Sequence, residues 1–209
     1  METSVTTDLP WEVEVTTTSA NENMTIEFDS PLDIKVDWGD GSADVVNINS
    51  KTHTYTSPGT YAMTIEGEAS RISFYTLDAE TRLTEILSPV RGIGGITSFK
   101  ETFCGLTGLR GSIPAGMFDK TPNVTSFEAT FKKADNLTGP IPENLFANNP
   151  NVNSFESTFK AAASLSGPIP DNLFANNPSV TSFGSTFEAA AGLSGPIPDN
   201  LFANNTSVT

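Results

Sequence analysis

The chain has 209 residues, room for one large domain or two small ones with cores of their own. Its formal charge is −14, with 16 acidic and 5 basic side chains in residues 1–93 against 9 and 6 in residues 94–209. This leaves no basic patch to hold nucleic acid or an anionic membrane surface. The single cysteine, Cys104, excludes an internal disulfide. No apolar run approaches the roughly 18 residues of a membrane span, and Met1-Glu2-Thr3-Ser4 is too polar and acidic to open a secretory leader.

The first elements alternate apolar and polar residues with the period of a half-buried strand. Trp11 to Thr18 sets Trp11, Val13 and Val15 against Glu12, Glu14 and Thr16; Met24–Phe28 and Leu32–Trp38 follow in the same manner. Gly39-Asp40-Gly41-Ser42 is a tight hairpin signal, and Val45-Val46-Asn47-Ile48 reads as the returning strand. Thr52–Tyr55 is short and passes through the turn Ser57-Pro58-Gly59-Thr60 into Tyr61–Ile65. Short strands at turn-sized gaps predict a β-sandwich.

Three separated motifs in this stretch, Val36-Asp37-Trp38-Gly39-Asp40-Gly41, His53-Thr54-Tyr55 and Pro58-Gly59-Thr60-Tyr61, resemble those of a PKD domain, an immunoglobulin-like module. The resemblance covers residues 10–67 and assigns 1–67 to the sandwich. It implies a spacer, or a module that contacts protein or glycan outside the cell, in which Trp38, Gly39, Asp40, Gly41, His53 and Tyr55 are structural.

Beyond residue 67 the alternation loosens. Ile72, Phe74 and Leu77 suggest a last strand, Leu83-Thr84-Glu85-Ile86-Leu87 reads as a degenerate repeat, and residues 68–93 are expected to link and cap. From Gly94 onward one pattern recurs every 28 residues: Pro122-Asn123-Val124-Thr125-Ser126-Phe127, then the same frame from Pro150 and from Pro178, with a diverged first copy at Gly94–Phe99. A period of this size predicts a solenoid. Its core is expected between units, in ladders through Phe99, Phe127, Phe155 and Phe183, through Phe103, Phe131, Phe159 and Phe187, and through Phe118, Phe146, Phe174 and Phe202, which use twelve of the fourteen Phe. Columns of Leu (137, 165, 193) and Ile (141, 169, 197) are expected to fill the rest. Gly139-Pro140-Ile141-Pro142 fixes one corner and Ala147-Asn148-Asn149-Pro150 the other, where Asn tolerates left-handed backbone.

Val124-Thr125-Ser126-Phe127, then Thr130-Phe131, Ala134 and Leu137, resembles the BspA-type leucine-rich repeat of bacterial surface proteins. Ala134, Ala162 and Ala190 stand where that family usually carries Cys or another small residue, and the Gly-Pro-Ile-Pro insertion lengthens the unit. The resemblance covers residues 94–209 and implies a right-handed stack with one strand per coil, used for display or binding, and with no catalytic residue.

Chemistry is thinly represented. His53 is the one histidine, inside its motif, and Cys104 shares a column with Lys132, Lys160 and Glu188, which suggests partial exposure. Asp37, Asp40 and Asp44 are Ca²⁺ candidates if the hairpin brings them together; Asp40-Gly41 is equally good turn chemistry. Asn123, Asn136 and Asn204 fit glycosylation sequons that the repeat itself accounts for. No enzymatic activity and no other cofactor is expected.

Two functions remain open at this point. One is a virion component, a capsid decoration or fibre with the sandwich docked and the solenoid displayed. The other is a bacterial adhesin or receptor-binding module at the cell surface. The near-constant outward columns Glu128, Glu156, Gly184 and Ala129, Ser157, Ser185 favour a spacer or packing surface over a diversified recognition face. Partners are expected to be a capsid or other surface protein, a cell-surface glycan or receptor, or further copies of the chain. Thr206–Thr209 opens a fifth unit without its Phe, so the last coil is expected to be covered by more repeats or by a neighbouring copy. Runs such as Ala161-Ala162-Ala163 would permit close lateral packing.

Overall fold

The computed structural model describes residues 9–75 and 82–208; Leu77 and Thr209 lie outside them. The chain is mainly β, without a helix among the described residues. One sheet holds β1 (Trp11–Thr17), β3 (Leu32–Asp37), β4 (Ala43–Val46), β6 (Gly59–Glu68) and β8 (Leu83–Ile86) in the order β4-β3-β6-β1-β8, with β9 (Ile93–Gly94) beside β6. The other is β5-β2-β7, from β5 (Ser50–Tyr55), β2 (Glu22–Asp29) and β7 (Arg71–Ser73). Both are antiparallel apart from the β6–β9 pair. Strict alternation in β1 sends Trp11, Val13 and Val15 inward, where they share a core with Ile34, Val36 and Met63 of their own sheet and Met24, Ile26 and Phe28 of the other.

Two expectations change, one in the linking stretch and one in the hairpin. Leu83–Ile86 is no degenerate repeat: it pairs with β1, Val13 opposite Ile86 and Val15 opposite Leu83, and closes the edge of the larger sheet. The returning strand after the hairpin begins two residues earlier than the apolar pattern suggested, at Ala43, because the register is set by Asp37 opposite Ala43 across the turn.

Residues 94–208 are laid down in successive 28-residue lengths joined by parallel single-residue bridges, Ser98 to Ser126, Ser126 to Ser154 and Ser154 to Ser182, and at a second corner Gly139 to Leu165 and Gly167 to Leu193. Backbone amides of alternate residues donate to the next length: Phe127 to Ser154, Ala129 to Glu156, Phe131 to Thr158 and Lys133 to Lys160, at 2.8–3.1 Å. Ala129, between the two rings, and Lys133, two residues after the second, sit in left-handed backbone at φ 52° and 58°, which turns every second amide to the same side. Gly139, Gly167 and Gly195, at φ 79–81°, make the Gly-Pro corner that a side chain would strain.

Aromatic rings fill the space between lengths. Phe127 stacks on Phe155 at 5.7 Å and 2°, and Phe131 on Phe159 at 5.7 Å and 5°, while Phe146 tilts between Phe127 and Phe155 at 4.6 Å from each. Burial fades along the array: Phe155 and Phe159 are fully buried, Phe183 and Phe187 partly, and Phe202 is 44% exposed. In the Ile column, Ile141 is buried and Ile197 is 67% exposed. Ala134, Ala162 and Ala190 face the core, so the middle alanine of each run is spent on internal packing and the expected small-residue flank is narrower.

The sandwich and the array share one core. β7 pairs with β2 and, on its other side, Arg71 bridges Ser98. Phe74 donates its amide to Thr102 at 3.0 Å and stacks on Phe103 at 6.0 Å, while Trp11 meets Phe103 edge-on. Phe74 thus heads the Phe103 column from within the sandwich.

Candidate functional site

A polar cluster lies where the β3–β4 turn meets β5. Gly39 and Gly41 take φ of 79° and 92°, and the position a Gly39 Cβ would occupy is 2.5 Å from the Ala62 carbonyl, so the turn is pressed onto β6. Packed inward from this turn, Trp38 stacks on His53 with ring centroids 4.6 Å apart and planes at 12°. Tyr55 meets the other ring edge of His53 at 88°, and its hydroxyl donates to the Trp38 carbonyl at 3.0 Å. His53 Nε2 lies 2.8 Å from Asp40 Oδ2. The group clamps one sheet to the other.

Each acid of this cluster is already committed. Asp37 Oδ1 accepts the Gly39 amide, Asp40 Oδ1 accepts the Ser42 amide and hydroxyl, and Asp44 accepts Trp38 Nε1 and Lys51 Nζ at 2.8 Å each. Burial alone would push the Asp40 carboxyl up, but the bonds from Ser42 and His53 together hold it below its ordinary value. The bond from Lys51, then that from Trp38, lowers Asp44. Burial pushes the Tyr55 phenol up. The turn spends the Ca²⁺ candidates Asp37, Asp40 and Asp44 on separate donors, and among the described residues no group of three or more His, Cys, Asp or Glu is placed to hold a metal ion. Cys104, expected to be partly exposed, is buried, and burial raises its thiol. Ala129, expected in an outward column, is also buried.

Within the array the sequence had hidden one set of residues. Asn149, Asn177 and Asn205 are buried, and each donates Nδ2 twice to carbonyls of the preceding length: Asn149 to Thr121 and Phe118, Asn177 to Asn149 and Phe146, Asn205 to Asn177 and Phe174. None of the three is in left-handed backbone, so these Asn are cross-braces and not the left-handed corner residues expected of them. Thr121 occupies the same column in the first length, and its hydroxyl donates to the Phe118 carbonyl of its own turn. Buried threonines act likewise: Thr130 reaches Phe99, Thr158 reaches Phe127, Thr186 reaches Phe155, and Thr102 reaches Ile72 in the sandwich. These braces all point toward the N-terminus. The outward face carries ion pairs between neighbours, Lys100 with Glu128 at 2.9 Å and Lys160 with Glu188 at 2.7 Å.

Compared with models of known families, with curated proteins and with solved structures, the chain matches none.

Proposed function

We propose that this chain is a non-enzymatic, surface-exposed structural and binding protein in which a PKD-type immunoglobulin-like sandwich carries a leucine-rich-repeat solenoid of the BspA kind. In this reading it is a virion component, a capsid decoration or fibre, docked through the sandwich with the solenoid displayed. The observation that carries it is the cross-braced column set. Rings, asparagines and threonines lock each 28-residue length to the one before it, and Phe74 and Thr102 lock the first to the sandwich. Such a body holds its shape at a distance from its attachment, as a spacer must. The reactive side chains support the same reading, since His53 is clamped between Trp38, Tyr55 and Asp40 and Cys104 is buried.

Contacts with a capsid or other surface protein and with its own copies belong to this proposal. Mass spectrometry of density-purified particles tests the placement. Stoichiometric recovery with capsid protein supports it, and recovery in a cell-surface fraction with none on particles rejects it in favour of an adhesin.

A further inference from the structure

The repeated lengths serve as controls for one another. Asp171-Asn172-Leu173-Phe174-Ala175-Asn176-Asn177 recurs unchanged from Asp199, and from Glu143 with one acid exchanged for another. The first length instead reads Ala115-Gly116-Met117-Phe118-Asp119-Lys120-Thr121. Contact with the sandwich explains part of this: Met117 is buried and its carbonyl accepts the Val90 amide at 2.9 Å. It does not explain Ala115, Asp119 and Lys120, which are exposed.

Those three line two adjoining cavities at the junction of sandwich and array. One, of about 740 Å³, is bounded by Asp33, Lys35, Glu66, Arg91 and Lys120. The other, of about 420 Å³, has apolar walls of Leu9, Pro89, Val90 and Ala115 and shares Arg91 and Lys120 with the first. The first sets three cations against two carboxylates, and the second sets two against Asp119, on a chain of formal charge −14. Lys35 is engaged by Glu66 at 3.0 Å, and Arg91 lies 3.7 Å from Glu12 and donates Nε to the Pro10 carbonyl. Among the described residues Lys120 has neither an ion pair nor a side-chain hydrogen bond. Where later lengths carry an acid, an alanine and an asparagine, this one has Ala115, Asp119 and Lys120, so the acid moves by four positions and one positive charge is added.

We propose that this junction groove binds an acidic peptide segment of a partner protein. A carboxylate sits between Arg91 and Lys120, and a neighbouring aliphatic side chain enters the smaller cavity against Leu9, Pro89, Val90 and Ala115. A peptide fits better than an acidic saccharide, because among the described residues no aromatic face lines either cavity for a sugar ring to stack on. The proposal does not depend on where the protein is displayed, and its failure leaves the particle reading to be decided by particle composition.

The test is fluorescence anisotropy of the full chain with an acetylated, amidated, labelled hexapeptide of alternating glutamate and leucine. Saturable binding at low salt is expected, weakening as salt is raised. Lys120→Asn installs the residue of the later lengths and leaves the packing alone; it should weaken binding about ten-fold, the scale of one charge contact at a partly desolvated site. Lys132→Asn, outside the groove, should leave binding unchanged. Absence of saturable binding, equal affinity for the glutamine version of the peptide, or equal affinity in Lys120→Asn would overturn the proposal. So would binding of an oligouronate in place of the peptide.

Discussion

Truncating Phe155 probes the array where it is most enclosed. Its ring is fully buried, stacked between Phe127 and Phe183 at 5.7 Å from each and flanked by Phe146 and Phe174 at 4.6 Å. Phe155→Ala removes a whole ring from a site walled by other rings, and these are held by their own columns and cannot collapse inward. The expected cost is about 3–5 kcal/mol. Phe183→Ala makes the same chemical change in the same column, but that ring is only partly buried, so it should cost roughly 1–3 kcal/mol. Urea unfolding followed by far-UV circular dichroism measures both, with amide exchange locating the loss in residues 94–208. A Phe155→Ala protein as stable as wild type, or two variants of equal cost, would refute the idea that these rings form an enclosed stack.

Further outcomes follow from single residues. Asn177→Ala leaves the Phe146 and Asn149 carbonyls without their side-chain donor and should cost about 2–3 kcal/mol by the same urea assay, whereas exposed Asn148→Ala should be near neutral. Ala161 holds φ of 56° in the column where the first length has Gly105 at 69°, so Ala161→Gly should stabilise by about 0.5–1 kcal/mol despite the added freedom of the unfolded chain. Asp40 is held below its ordinary value by Ser42 and His53, so its contribution is complete above the unfolded carboxylate range near pH ~4 and is lost as pH falls through the lower folded value. Asp40→Asn should therefore flatten the acid limb of a stability-against-pH curve, and an unchanged acid limb would remove the clamp from the account.

The sequence was most legible where one residue type answers one geometric demand. Alternation in Trp11–Thr17 and the Gly39–Ser42 turn gave strands and hairpin, because a half-buried sheet needs period two and a tight reversal needs positive φ. The 28-residue period located the Phe columns for a similar reason. It misled at Leu83–Ile86, whose apolar pattern serves a sheet edge as well as it would a repeat; pairing with β1 is a contact across about 70 residues that no local pattern reports. Asn149 suits a corner because Asn favours turns, yet its amide donates to the Phe118 and Thr121 carbonyls of the preceding length, a contact across about 30 residues that no local pattern reports. Lys120 was visible as a departure from the repeat, but its meaning required the cavity that only the packed junction forms.

The central claim is that each length lies directly on the one 28 residues before it. Ser126 and Ser154 are bridge partners, and Ser182 is one step further. In a Cys104→Ser background, Ser126→Cys paired with Ser154→Cys should form a disulfide under mild oxidation, because bridged residues lie within the roughly 4.4–6.8 Å Cα separation that a disulfide spans. Ser126→Cys paired with Ser182→Cys, two steps apart, should not close within the monomer. Cross-linking of the first pair and not the second, read by mass spectrometry of the monomer, is the predicted result; cross-linking of the second pair, or of neither, would contradict it.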